Sequence, residues 1–513
     1  MLENLSEALV LVFQWENFFW VLLGVTLGVV IGSIPGLTDT MAISLILPFT
    51  YYLGPIPGIA MLMGLSKGSN YGGSIPAILF NIPGNPQSLF TALDGYPLAK
   101  QGKSGKALKG GLFASVTADS ITDIFVILLA APVAVLALKV GPAEYSMLIM
   151  FALVTISLAA TSDPWRGLLS VSLGLLLGTV GTDPMLGTMR FTFGIIDLAD
   201  GFALMALVIG MLAFSEVLRQ SEAHFQHRNA LAAGTATEIK LDELVSSDPD
   251  AHRLTKADIK AALPTLARST VIGGSIGILP GIGNTVASYL GYLSARKFSK
   301  NPERFGKGEL NGVIGCEAAS NAAVGPNLIP LITLGIPGNL AAALILGAFM
   351  IKGLVPGPGF MEDNAPMLYG LFIVLLISNV FTAIVGYAYV TYAARKFTNI
   401  PKASLYTCIL IFTCMGSYVF NGNFFDVWVM LGFGIFGYVF MRLQLNLPAL
   451  IVAFFLGDLF ENKFRRTLLI SGGDWTVFFT RPLSLVFISL AALIMIIYVW
   501  KLRKRHTDGP PVI

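Results

Sequence analysis

Two copies of a proline-glycine turn carry the chemistry this sequence offers: FNIPGN at Phe80 to Asn85 and LGIPGN at Leu334 to Asn339. Each lies in or beside a long apolar run. Pro and Gly break a helix there, leaving free N–H groups at the start of the next half-helix and free C=O groups at the end of the previous one. Lipid satisfies neither, so such backbone persists at depth only where protein buries it or a wet cavity reaches it. A half-helix N-terminus carries about half a positive charge and binds a carboxylate, while unwound carbonyls ligate sodium. The expected chemistry is recognition of an anionic solute and of a coupling cation.

A second pair of bends joins the first. IGSIPGLTDTMAISL, from Ile31, aligns with IGILPGIGNTVASYL, from Ile276, at an offset of 245, and SIPAILFNIPGN, from Ser74, aligns with LIPLITLGIPGN, from Leu328, at 254. These alignments match Gly32 with Gly277, Asp39 with Asn284 and Thr40 with Thr285. The substrate cradle is expected from Pro35, Gly36, Thr38, Asn81, Gly84, Asn85, Ser88, Gly281, Asn284, Thr285, Gly338 and Asn339. The cation site is expected from Asp39, Thr40, Ser66, Asn70, Asn321 and Asn327. Neutral amides and hydroxyls polarise without the desolvation cost of a full charge. An acid inside a membrane segment is a functional candidate, and Asp39 would ligate sodium or carry a proton. A lone Ile-Pro-Gly is ordinarily a helix kink, because Gly and Pro are common in membrane helices; repetition in register favours a shared site. Lys67 is a candidate partner for a substrate carboxylate, and Glu317 a further charged candidate, unless either snorkels to an interface. Asp119 and Asp123, four residues apart, share one helix face and either cap a helix or line its start.

The elements that must hold these residues follow from composition. The chain has 513 residues, 55% hydrophobic and 12% charged, with a mean hydropathy of +0.74. That balance describes an all-α polytopic membrane protein. Apolar runs such as Phe125 to Val140, Met147 to Ala160, Gly201 to Val217, Leu368 to Val390 and Leu483 to Trp500 recur, and about a dozen membrane segments fit.

Loop charge suggests that the two halves are inverted. After the first bend, half one has the uncharged YYLGPIPG, whereas half two has the basic ARKFSKNPERFGKGE. After the second bend the bias reverses, with Lys100, Lys103, Lys106 and Lys109 in half one. Short cytoplasmic loops concentrate Lys and Arg, so equivalent loops are expected on opposite sides. With the lysine loop and the Arg296 to Lys307 loop both cytoplasmic, 263–295 must enter and leave by one face, as a re-entrant hairpin. Its mirror is 18–52. The expected plan is a first repeat over 1–218, a cytoplasmic linker over 219–262, a second, inverted repeat over 263–460 and a C-terminal segment with the last membrane helix over 461–513. Inverted repeats with interrupted helices are the architecture of secondary transporters.

Other classes fit poorly. The net charge of +3 (33 basic minus 30 acidic residues) argues against nucleic acid. His224, His227, His252 and His506 fall in the hydrophilic linker or the tail, and Walker A, H-E-x-x-H and G-x-S-x-G motifs are lacking. No enzyme and no cofactor are expected, the coupling ion apart. Cys316, Cys408 and Cys414 lack metal-ligand spacing and read as buried thiols. Glu3 and Glu7 stand where a secretory signal carries basic residues, so no cleaved signal peptide is expected. The alternative to a carrier is an anion-conducting channel built from the same repeats.

The run GSIPAILFNIPGNPQSLFTALDGYPLAKQGKSGKAL, from Gly73 to Leu108, resembles the signature of the large membrane subunit of the tripartite tricarboxylate transporter family. It holds Ile82-Pro83-Gly84, then Ala92-Leu93-Asp94-Gly95-Tyr96-Pro97 and Gly102-Lys103; LITLGIPGNLAAALILGAFMIKGLVPGPG, from Leu331, resembles the family's second half. The resemblance covers nearly the whole length. It implies a bacterial inner-membrane importer of di- or tricarboxylates, coupled to sodium or, as second choice, protons. It also implies a small membrane subunit and a periplasmic substrate-binding protein as partners, and an elevator-like movement of the core against a scaffold. One stretch departs from the family pattern: Asn85-Pro86-Gln87-Ser88 stands where small residues are expected, and its bulkier amides would reshape the pocket.

Overall fold

A chain this apolar must satisfy its own backbone groups, and helices do so within one segment. The computed structural model describes residues 2–34, 37–159, 164–232, 253–357, 359–393 and 402–507. The first helices are α1 (Leu2–Val12), α2 (Trp15–Gly32), α3 (Asp39–Thr50), α4 (Pro55–Gly72), α5 (Ser74–Phe80), α6 (Ser88–Lys100) and α7 (Ser104–Ala137). Next come α8 (Pro142–Ala159), α9 (Pro164–Gly178), a two-residue antiparallel ladder pairing Gly181–Thr182 with Met189–Arg190, α10 (Leu204–Ile209) and α11 (Ser215–Ala232). The later part holds α12 (Lys256–Gly277), α13 (Gly283–Lys297), α14 (Leu310–Ala322), α15 (Leu328–Leu334), α16 (Leu340–Ile351), α17 (Phe360–Asp363) and α18 (Ala365–Ala388). It closes with α19 (Lys402–Asn421), α20 (Phe424–Arg442), α21 (Leu447–Ile470), α22 (Val477–Thr480) and α23 (Pro482–Thr507).

Among the described residues, five helices are long and apolar enough to cross a membrane, starting at Trp15, Ser104, Leu204, Ala365 and Phe424. Two of the shorter apolar helices, α3 and α16, start within a few residues of a Pro-Gly pair in the sequence. Of the expected linker, α11 runs to Ala232 and α12 starts at Lys256. A capping box fixes that start: Thr255 Oγ1 accepts from the Asp258 N–H at 3.2 Å and Asp258 Oδ2 from the Thr255 N–H at 3.0 Å. The central part of the linker, 233–252, lies outside the described residues.

The chain forms two compact units, each discontinuous in sequence: Met1–Ala134 with Leu204–Tyr438, and Val135–Ala203 with Val439–Ile513. In the second, α8 and α9 pack on α21, and α23 packs on α8. Arg465 bridges Asp183 and Glu461 there, at 2.8 Å each, and Arg190 also reaches Glu461 at 2.8 Å.

In the first unit, α2 lies along α4 while α12 and α13 lie along α14. Gly28 and Gly32 sit against the backbone carbonyls of Leu65 and Ser69, where a Cβ would overlap them. Gly273 and Gly277 sit in the same way against the carbonyls of Ala319 and Ala323. The two glycine pairs are 245 residues apart and the two carbonyl pairs 254 (273 minus 28, 319 minus 65), so the offsets of the sequence alignment recur as helix packing. Small residues allow such backbone approach in membrane helices, where lipid supplies no hydrophobic drive. Moreover, α5 and α15 each run for 7 residues, and each ends on a left-handed residue, Asn81 at φ 57° and Gly335 at φ 62°. Glycine takes that conformation freely, and asparagine is among the side chains that tolerate it.

Candidate functional site

Both IPGN asparagines bind the backbone of the helix that follows them. Asn85 Oδ1 accepts from the Ser88 N–H at 3.1 Å, and Asn339 Oδ1 from the Ala342 N–H at 2.8 Å. Each thereby satisfies one of the free N–H groups that the Pro-Gly break creates, as an N-cap does. Their amide nitrogens turn inward. Asn85 Nδ2 donates to the carbonyl of Asn70 at 3.2 Å, whereas Asn339 Nδ2 donates to Asn284 Oδ1 at 3.1 Å.

Around the second turn the cluster is compact. Asn284 Oδ1 also accepts from Asn327 Nδ2 at 2.9 Å, and the Gly281 N–H donates to the Gly338 carbonyl at 3.0 Å. The tip of the α12–α13 hairpin is thus held to the turn between α15 and α16. Gly338 is in close contact with the Asn327 side chain. Among the described residues, buried Asn327 Oδ1 has no hydrogen-bond partner. Ser66, Asn327 and Asn339 line a cavity together with Met63, Val324, Leu328, Ala341, Ala342, Ile345 and Leu375. The cavity volume is about 20 Å³. That suits a water or a bare monovalent cation and is too small for a tricarboxylate in this conformation.

The first turn forms a longer network. Asn70 Oδ1 accepts from Gln87 Nε2 at 2.5 Å, and Asn70 Nδ2 donates to Asn321 Oδ1 at 2.8 Å. Asn321 Nδ2 donates to Ser115 Oγ at 2.9 Å. Ser115 in turn donates to Glu317 Oε2 at 3.1 Å, while Ser74 and Thr91 donate to Glu317 Oε1 at 2.5 Å each. Helix α13 connects the two networks, since Asn284 reaches the second turn and Ser288, one helical turn on, donates to the Gln87 carbonyl at 2.9 Å.

The expected residues therefore divide. Gly84, Asn85, Ser88, Asn70 and Asn321 meet around the first turn, where Gly84 also approaches the Gly32 carbonyl; Gly281, Asn284, Gly338, Asn339, Asn327 and Ser66 meet around the second. Thr38, Asp39 and Thr40 open α3 half-buried: Thr38 Oγ1 caps the Met41 N–H at 3.3 Å and Asp39 Oδ1 accepts from the Thr40 N–H at 2.8 Å. Thr285 is half-buried on α13, and Asn81 is exposed at the end of α5. Pro35 and Gly36 lie outside the described residues.

Several partners escape a sequence reading. Lys67 is bound to Asp119 and Asp123 at 2.6 Å each, so its ammonium is already matched by carboxylates of this chain. Charges in membrane segments seldom stay unpaired, a signal that could have pointed to this match in place of the substrate carboxylate expected for Lys67. Asp94, of the DGYP stretch, accepts at Oδ1 from the N–H groups of Gly306, Gly308 and Glu309 at 2.8, 2.9 and 2.8 Å. That ties α6 to the loop leading into α14, across more than 200 residues of sequence (306 minus 94). Thr91 and Ser115 carried no sequence signal beyond being polar, and Gln87 stood out only as part of the stretch that departs from the family pattern.

Broken helices meeting in a polar interior are how helical membrane carriers are organised. The chain matches the tripartite tricarboxylate transporter TctA family over residues 18–452 and belongs to that family of membrane transporters. It is 35% identical over 498 residues, 96% of either chain, to an uncharacterised 52.8 kDa protein of the TAR-I ttuC′ 3′ region of Agrobacterium vitis. It is 38% identical over 225 residues to an uncharacterised protein of the TAR-II ttuC′ 3′ region of that organism, covering 44% of this chain and 93% of the other. No solved structure matches it significantly.

Proposed function

We propose that this protein is the large membrane subunit of a sodium-coupled importer of di- or tricarboxylates in the bacterial inner membrane. It receives substrate from a periplasmic binding protein and works beside a small membrane subunit. The observation that carries the reading is the matched pair of capped turns, Asn85 on Ser88 and Asn339 on Ala342, joined through α13. Helix N-termini at unwound breaks favour anions, so substrate carboxylates bind the backbone donors there as the asparagine caps yield. Sodium, as co-substrate, takes the cavity beside Asn327 Oδ1 and Ser66, where oxygen ligands suit a hard cation. The recurring offsets of 245 and 254 in helix packing support a repeat, and the alternating basic loops support its inversion and an elevator-like movement of the repeat core.

The test is uptake into proteoliposomes reconstituted with both partners. Saturable uptake that requires sodium is expected, with substrate affinity or sodium dependence weakened in Asn85→Ala and Asn339→Ala. Ohmic anion conductance in place of saturable uptake would identify a channel, and unchanged affinity and sodium dependence in both variants would remove the site assignment.

A further inference from the structure

Apart from the candidate site, the first unit buries an ion cluster. Lys67 on α4 is 2% exposed, Asp119 and Asp123 on α7 are 3% and 0%, and Asn379 on α18 is 2%. The ammonium places its three protons on Asp119 Oδ2 at 2.6 Å, Asp123 Oδ2 at 2.6 Å and Asn379 Oδ1 at 3.2 Å. Its donor capacity is then spent. Asn379 Nδ2 adds a bond to Asp123 Oδ2 at 2.7 Å. Among the described residues, Asp119 Oδ1 and Asp123 Oδ1, both buried, have no hydrogen-bond partner. With every group ionised, one ammonium faces two carboxylates, leaving an unbalanced negative charge where charge is most costly. Among the described residues, Lys67 is the cation paired with these carboxylates, and no second one is. Helix α18 contributes the neutral Asn379, and Glu317 on α14 is a further carboxyl, already engaged by Ser74, Thr91 and Ser115.

We infer that this cluster is a proton-binding site, in which one proton taken from water forms an O–H bond on Asp119 or Asp123 and makes the cluster neutral. A bare proton fits where a metal ion does not. Neither aspartate lines the cavity of the candidate site, and Gly325 lies so close to Asp123 Oδ1 that even a Cβ there would overlap it. Gly325 belongs to the unwound connection between α14 and α15 that also carries Asn327. A proton gained or lost on α7 therefore acts on the same segment as occupancy of the cavity. This inference goes beyond sodium-coupled transport and stands or falls without it, because the test involves no transport.

The experiment is infrared spectroscopy of the full-length protein in lipid vesicles at pH 8, in sodium-free buffer, with and without carboxyl-labelled [¹³C]aspartate. A protonated-carboxyl C=O band that shifts on aspartate labelling is expected, which separates it from Glu317. Asp119→Asn and Asp123→Asn each leave one carboxylate against one ammonium, so both should lose the band. Asp39→Asn, Asp94→Asn, Asp426→Asn and Asp458→Asn, at further aspartates that are buried or set in apolar helices, should each keep it, which assigns the band to the cluster even if the cluster variants fail to assemble. The inference is overturned if the wild type lacks an aspartate-derived band. It is equally overturned if the band survives both cluster substitutions, disappears in any of the other four variants, or is replaced by ionised carboxylate signals that respond to added sodium.

Discussion

Single residues here act mainly by satisfying backbone that a break or a loop leaves open. Asp94 is the clearest case, with three N–H groups converging on one carboxylate oxygen. Hydrogen bonds to a charged group contribute about 1.5 to 3 kcal/mol each, and an amide oxygen holds the same donors more weakly. Asp94→Asn should therefore lower the thermal unfolding midpoint in detergent, and Asp94→Ala should lower it further; equal midpoints for all three proteins would show that the contact is idle. The DGYP motif stands out in the sequence, yet its partner loop does not, because the pairing depends on where α6 ends relative to a loop far along the chain. Outside the membrane segments, the Arg465 guanidinium, aided by the N–H groups of Leu186 and Met185, holds the Asp183 carboxyl down to about 2. An unfolded aspartate titrates near 3.9, at about pH 4. The folded value is the lower one, so the stabilisation is fully present above about pH 4, fades as pH falls toward 2 and is gone below. Asp183→Asn should flatten the acid side of the stability profile between those limits, as followed by thermal unfolding at stepped pH.

Elements are positioned by close backbone approach. Gly28 against Leu65 and Gly273 against Ala319 repeat one contact at two places, and a methyl group at either runs into a carbonyl. Overpacking of this kind typically costs about 1 to 3 kcal/mol. Gly28→Ala and Gly273→Ala should therefore destabilise by similar amounts, whereas Gly432→Ala, where a Cβ meets nothing within 4 Å, should be neutral or mildly stabilising through helix propensity. Thermal unfolding of the three variants reads this directly, and tolerance at Gly273 alone would break the equivalence of the two helix pairs. The existence of these helices and the places where they break were legible in hydropathy and in Pro-Gly spacing. The start of α12 at Lys256 was missed by a hydropathy reading that began the hairpin at 263, because a polar capping box, and no apolar run, sets that end.

At the scale of the whole molecule, a cation bound only by the folded protein stabilises it by mass action, about 2.7 kcal/mol at one hundred times its dissociation constant. Sodium should raise the unfolding midpoint above that in equimolar choline, and Ser66→Ala combined with Asn327→Ala should abolish the difference; a shift that persists in the double variant would place the cation elsewhere. Hydropathy determined from sequence alone that this is a helical membrane protein, and Pro-Gly spacing pointed to the interruptions at Pro83-Gly84, Pro280-Gly281 and Pro337-Gly338. Those signals are local, carried by neighbouring residues and by period. Tertiary structure alone decided that Asn284 bridges Asn327 and Asn339, that Lys67 is matched to Asp119 and Asp123, and that Asp94 holds a distant loop. Such pairings depend on the depth and rotation of helices that lie far apart in the chain, and the order of residues along any one helix does not encode them.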